Sequence, residues 1–222
     1  MKILLVGASG LVGQGVLKVL LQDAERPGVT LLVRRRSPDV PQGVRVLQVP
    51  ELCDKALEGL DLGGIDACLY CAGPLPLLLS EAAYREATVA TLECVSRAFA
   101  RANPRGRMIY VSGAGADIRS RWMPLRIKGE AEQVPGRFAL ATTVLRPGAI
   151  RPVQGERSPH RARRALYALA GPVLSVAVRL MPGSFTTSAA VGRCMLAMAR
   201  AETSGTGMVV VENRQINTFA AP

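Results

Sequence analysis

Seven residues near the amino terminus have the types and spacing to hold a phosphate. Gly7-Ala8-Ser9-Gly10-Leu11-Val12-Gly13 is a G-x-x-G-x-x-G run. It follows the short apolar run Lys2–Val6, which reads as a buried strand, and it opens Leu11–Gln22, whose apolar residues recur at helical spacing. Without side chains, Gly7 and Gly10 let the backbone turn tightly and approach a pyrophosphate. Gly13 lets the helix lie close to the sheet. The first turn of the helix offers unpaired N–H groups and the positive end of its dipole. Gly7, Ser9, Gly10, Leu11, Val12 and Gly13 are therefore candidate cofactor-binding residues. The competing reading is a glycine-rich turn that binds nothing.

The end of the second strand selects between cofactors. A site for NAD usually carries an Asp or Glu there, accepting hydrogen bonds from the ribose hydroxyls. Here the strand runs into Arg34-Arg35-Arg36, with no acid before Asp39. A carboxylate would repel a 2′-phosphate, whereas a guanidinium binds it as a fork. Arg34 and Arg35 thus predict NADP(H) over NAD(H). The alternative is a solvated basic turn.

Other chemistries find little to build with. His160 is the sole histidine, which leaves no His-based triad and no multi-His metal site, so no metal is expected. Cys68 and Cys71 have C-x-x-C spacing but lie in an apolar run, and residues three apart on a strand point to opposite faces. Five cysteines in a chain this long suit a reducing compartment with free thiols. Met1–Gly7 reads as a strand and turn without a cleavage site, and the fourteen near-apolar residues 165–178 are too short to span a bilayer. A cytoplasmic protein is expected.

The elements that must position these residues alternate. Strands are predicted at Lys2–Val6, 29–33, 44–49, 67–71, Arg107–Val111, 141–145 and 208–211, and helices at Leu11–Gln22, 81–102, 126–134 and 187–200. Strands alternating with helices imply an α/β, doubly wound parallel sheet with ligands at the carboxyl edge of the strands. The 222 residues fit a single Rossmann-type domain over residues 1–222, with a small C-terminal substrate lobe within it at residues 151–185. Cys71, Ala72 and Gly73 follow the fourth strand, and such small residues let a loop pass close to the adenosine side.

Charge narrows the partners. Lys and Arg total 28 against 17 acids, a formal +11, and all but four of the 28 are arginine. A basic balance suits an anionic partner, although arginine-heavy usage also arises from genome composition. Nucleic acid is disfavoured, with only nine Phe, Trp and Tyr for stacking and no recognisable binding module. Residues 151–180 hold Arg157, His160, Arg161, Arg163 and Arg164 ahead of the apolar 165–178. That segment suits an acidic or phosphorylated small molecule, an anionic membrane surface, or a core helix with a solvated flank.

The glycine loop with Arg34-Arg35, Ser112 through Asp117, Lys128-Gly129-Glu130-Ala131-Glu132, Arg146-Pro147-Gly148 and Val191 to Met195 occur in one order along nearly the whole chain. Together they resemble the extended, atypical short-chain dehydrogenase/reductases. More narrowly, they resemble the Tat-interacting-protein-like oxidoreductases. The resemblance implies a catalytic Ser-Tyr-Lys set. Ser112 matches the serine that hydrogen-bonds the substrate oxygen. Lys128 matches the lysine that binds the nicotinamide ribose and lowers the tyrosine pKa. The loop Pro147, Gly148, Ala149 and Ile150 borders the nicotinamide, with backbone groups for its carboxamide. The tyrosine position, one helical turn before Lys128, is Pro124, which has no proton to give. Tyr84 and Tyr167 are candidate substitutes. The expected function is an NADP(H)-dependent oxidoreductase acting on a small carbonyl or redox substrate. The alternative is a catalytically silent NADP(H)-binding regulatory or interaction protein.

Overall fold

Lys2–Val6 forms β1, buried at every residue but the first, because it lies at the centre of the sheet. In the computed structural model, which describes residues 1–35, 40–74, 76, 79–153, 183–201, 205 and 207–220, the elements follow in strand–helix alternation. After β1 come α1 (Leu11–Gln22), β2 (Gly28–Val33), β3 (Arg45–Gln48), α2 (Asp54–Leu57), β4 (Ala67–Tyr70), α3 (Glu81–Arg85) and α4 (Thr91–Ala102). The second half contains β5 (Arg107–Val111), α5 (Met123–Glu132), β6 (Ala141–Arg146), β7 (Ala149–Arg151), β8 (Phe185–Thr187), α6 (Ser188–Arg200), β9 (Met208–Glu212) and α7 (Asn213–Asn217).

Seven strands form one parallel sheet in the order β3-β2-β1-β4-β5-β6-β9. The winding reverses between β1 and β4, the place where a doubly wound sheet opens a crevice for ligand. Side chains alternate across the sheet. Ile3, Leu5, Leu31 and Leu69 pack with Val16, Leu20, Val191 and Met195 of α1 and α6. Leu4, Val6, Tyr70 and Tyr110 pack with Leu92, Val95, Phe99 and Ala131 of α4 and α5. The doubly wound α/β fold expected from the pattern is the fold observed.

Three details differ from the pattern. Residues 81–102 are not one α-helix: Glu86–Ala90 winds as a π-helix between α3 and α4, a change of pitch that apolar spacing does not encode. The helix expected at 126–134 begins earlier, at Met123, with Pro124 in its first turn, where the missing N–H costs nothing. β7 and β8 form a separate two-stranded parallel pair that joins 149–151 to 185–187, across the sequence gap of the expected lobe. Most of that lobe lies outside the described residues.

Candidate dinucleotide-binding site

The glycine turn is built by close approach. Gly7 sits at φ +88°, and a Cβ there would come 2.5 Å from the Ala72 nitrogen. At Gly13 a Cβ would fall 2.1 Å from the Gly7 carbonyl oxygen. Any side chain at either position therefore collides with backbone, which pins the turn between α1 and the end of β4. Gly10 closes it, its N–H donating to the Gly7 carbonyl at 3.0 Å. Gly10 is also the N-cap of α1, with no side-chain cap and no acid in the first turn. The first-turn N–H groups of Leu11, Val12 and Gly13 have no intrahelical partner by helix geometry. The cradle fits a pyrophosphate: glycines clear the approach, and an uncapped twelve-residue helix points its positive end at it. Ser9 lies exposed on the turn, its carbonyl accepting from the Gln14 amide at 2.9 Å.

Strand register brings the other expected residues to the same edge. Val6 pairs with Leu32 on one side and Tyr70 on the other, so the residues just beyond lie side by side. These are Gly7, Arg34 and Arg35 after β2, and Cys71, Ala72 and Gly73 after β4. Arg34 and Arg35 are exposed at the bend. Cys68 is buried on the α4 face, whereas Cys71 packs on the α1 face with its thiol 3.7 Å from the Met195 sulfur. The two therefore form no pair, and all five cysteines are free. No group of three metal-binding side chains occurs among the described residues.

The second half of the edge carries the expected catalytic pair. Ser112 follows β5 and is 5 % exposed, its N–H donating to the Leu145 carbonyl at 2.8 Å. Its hydroxyl donates to Glu132 Oε1 at 2.6 Å. That carboxylate is 1 % exposed and also takes a two-point fork from Arg146, at 3.0 and 2.6 Å. Arg146 reaches on to Glu212 at 3.3 Å. Lys128, one turn before Glu132 on the same helix face, donates to the Ser112 carbonyl at 2.9 Å. Burial pushes the Lys128 ammonium down to about 8 against a partial opposing pull from Glu132. Glu132 and Arg146 were legible only as parts of matched motifs. The four-residue step from Lys128 was the signal that Glu132 shares its face.

The Ser112 hydroxyl thus donates to a buried carboxylate, and a substrate oxygen would have to compete with Glu132 for it. Pro124 occupies the tyrosine position. Tyr84 is 1 % exposed, and Tyr70 and Tyr110 are buried as well. Tyr167 lies outside the described residues. Beside Ser112 a pocket of about 360 Å³ is lined by Ala116, Asp117, Ile118, Gly129, Glu132, Gln133 and Arg146.

The loop after β6 is fixed from below. The Pro147 carbonyl accepts from Ala114 N–H at 2.8 Å, and Gly148 N–H donates to Asn213 Oδ1 at 2.7 Å. Only glycine fits at 148, where a Cβ would fall 2.1 Å from the Ser184 carbonyl. Ala149 N–H donates to that same carbonyl at 2.9 Å, which removes it as a free donor for a carboxamide. Ile150 pairs in register with Thr186. The Asn213 contribution was missed, since a lone asparagine 65 residues downstream gives no local signal.

A protein of the short chain dehydrogenase family from Francisella tularensis superposes with a TM-score of 0.68 at 11 % identity, covering 96 % of this chain and 98 % of that one. The chain shares that protein's fold. The Bordetella bronchiseptica enzyme WbmF, in complex with NAD+, gives 0.67 at 16 % identity over 98 % of this chain and 76 % of that one. The Streptomyces venezuelae dTDP-glucose 4,6-dehydratase DesIV, with NAD bound, gives 0.67 at 14 % over 99 % and 80 %. No family model matches the chain. No curated protein matches it either.

Proposed function

We propose that the chain binds NADP(H) at the carboxyl edge of β1, β2 and β4. In this reading it is an NADP(H)-dependent oxidoreductase whose acceptor draws its proton from solvent. The glycine cradle carries the proposal, because backbone approach at Gly7 and Gly13 fixes the turn and leaves the uncapped N-terminus of α1 open to a phosphate. Solved neighbours of the same fold in complex with NAD+ or NAD support a nicotinamide dinucleotide there. Gly7, Ser9, Gly10, Leu11, Val12 and Gly13 would hold the pyrophosphate, Arg34 and Arg35 the 2′-phosphate, and Cys71, Ala72 and Gly73 the adenosine side. Lys128 would hold the nicotinamide ribose, with Pro147, Gly148, Ala149 and Ile150 beside the ring. When bound, the cofactor supplies a hydride.

The chain then contributes orientation rather than acid catalysis. A carbonyl needs a proton as it is reduced. With Pro124 in place of a tyrosine and the Ser112 hydroxyl held by Glu132, no described hydroxyl is set to give one. Conjugated acceptors such as flavins and quinones suit such a site, since their protons come from water. The narrower likeness to the Tat-interacting-protein-like oxidoreductases, a substrate lobe at 151–185 and a cytoplasmic location with reduced cysteines belong to the same proposal. A catalytically silent NADP(H) sensor is the second reading, favoured by the same Ser112–Glu132 bond.

Thermal unfolding with NADPH and with NADH tests binding. A ligand held only by the folded state adds about 2.7 kcal/mol at a hundred times Kd. The expected result is a clear rise with NADPH and a smaller one with NADH; no rise with either overturns the cofactor assignment. Turnover of NADPH with free flavin, a quinone dye and a simple aldehyde separates the two readings. Oxidation with flavin or quinone but not aldehyde is expected of the oxidoreductase. Binding without oxidation by any of them identifies the sensor.

A further inference from the structure

The loop leading into α5 presents an unusual surface. Trp122 is 76 % exposed and Ile118 is 52 % exposed, two large apolar side chains within five residues. Arg119 and Arg121 lie between them, both exposed, and among the described residues neither forms an ion pair. Exposed apolar residues scattered singly need no explanation, but a patch that joins them to unpaired cations does.

The loop is also held in shape. Asp117 Oδ1 accepts from Arg119 N–H at 2.8 Å, and the Asp117 carbonyl accepts from Ser120 N–H at 2.9 Å. Ser120 Oγ accepts from Trp122 N–H at 3.2 Å. Arg126 ties the loop to α3, donating to the Ser120 carbonyl at 3.2 Å and to Glu81 at 2.8 Å. The acid inside the loop is thus spent on backbone, and a rigid tip holds apolar and cationic groups outward. A preordered tip loses little conformational entropy when something covers it.

We propose that loop 118–122 docks this protein on an anionic membrane surface. Trp122 and Ile118 enter the interfacial region, and Arg119 and Arg121 meet lipid phosphates. An indole with one polar edge suits the headgroup level, and guanidinium groups beside it suit an anionic leaflet. Charge decides among occupants. The chain carries a formal +11, so a second copy meets repulsion across this basic face, whereas an anionic bilayer meets attraction. No membrane-crossing segment is needed, and no described helix is long and apolar enough to be one. The docking rests on exposure and charge rather than on the redox reading, although Ile118 also lines the pocket beside Ser112.

Trp122 is the only tryptophan in the chain, so its fluorescence reports on this loop alone. The full chain is titrated with phosphatidylcholine vesicles, with and without phosphatidylglycerol, and binding is read in parallel by co-sedimentation. A blue shift with the mixed vesicles only, reversed by salt, is expected. Arg119→Gln with Arg121→Gln should weaken binding about thirtyfold, the product of two basic contacts at a membrane surface. Ile118→Ser should weaken it further, with thermal unfolding confirming that each variant folds. Three results overturn the proposal. One is no co-sedimentation of the wild type. Another is equal co-sedimentation of the arginine variant, which would assign membrane binding to another basic segment. The third is a fluorescence shift with soluble polyglutamate but not with vesicles, which would assign the loop to an acidic protein.

Discussion

Lys128 carries opposing demands that a single substitution separates. Its ammonium is half-buried and held down to about 8, so the folded chain loses this proton more readily than the unfolded chain, whose ordinary value is 10.5. Between those values the unfolded state binds the extra proton, so the contribution of Lys128 to stability rises with pH across that window. Below about 8 the group is charged in both states and its burial penalty is fully present. Lys128→Met should therefore raise the midpoint of thermal unfolding below pH 8. The same substitution should weaken NADPH binding and remove the decline in affinity expected of the wild type as pH rises through about 8. Titrations of affinity and of melting temperature against pH check both. A lysine that only packs would show the stability gain without the binding loss. Glu132 behaves differently, because both its oxygens are already occupied. Glu132→Gln leaves the Arg146 charge short of its partner and should cost about 3 kcal/mol in denaturant unfolding. Removing both with Glu132→Gln and Arg146→Met should cost less than the sum of the single changes.

Elements position these residues through a few close approaches that pattern alone does not reveal. α6 lies on α1 because residue 192 is glycine: a Cβ there would come 2.9 Å from the Val19 side chain and 3.2 Å from the Val16 Cα. Asp23 after α1 and Arg200 at the end of α6 then close a two-point ion pair. Gly192→Val should lose about 1–3 kcal/mol by overpacking, read as a lower denaturant midpoint with the slope unchanged. Since α1 also carries the phosphate cradle, the variant should bind NADPH more weakly as well. The strands and α1 were legible because a central parallel strand is apolar throughout and an amphipathic helix repeats every turn. The glycine turn was legible because its close backbone approaches demand absent side chains at fixed spacing. What sequence hid was contact between distant segments. Ser112 reads as a free hydroxyl until Glu132 and Arg146 fold against it, and Gly148 reads as a flexible turn until Ser184 and Asn213 close on it. The π-helical Glu86–Ala90 stayed hidden for another reason: its apolar spacing does not distinguish it from the α-helix on either side.

At the scale of the whole molecule, charge joins the two surfaces. A chain with a formal +11 draws anions to it before any specific contact forms, and the effect weakens as salt shortens the screening length. NADPH differs from NADH by one phosphate, and Arg34 and Arg35 are the exposed cations at the edge where that phosphate would lie. The general field acts on both cofactors, whereas the arginine pair acts on the difference between them. NADPH affinity should therefore fall more steeply with salt than NADH affinity. In Arg34→Ala with Arg35→Ala the two slopes should converge, because only the field of the remaining charges is left. Isothermal titration of both cofactors over a range of salt, on wild type and the double variant, measures all four slopes. Parallel slopes in the wild type would mean that the 2′-phosphate does not meet this pair. Slopes that stay apart in the variant would move the specificity to another cation. Convergence would tie the choice of cofactor to two residues.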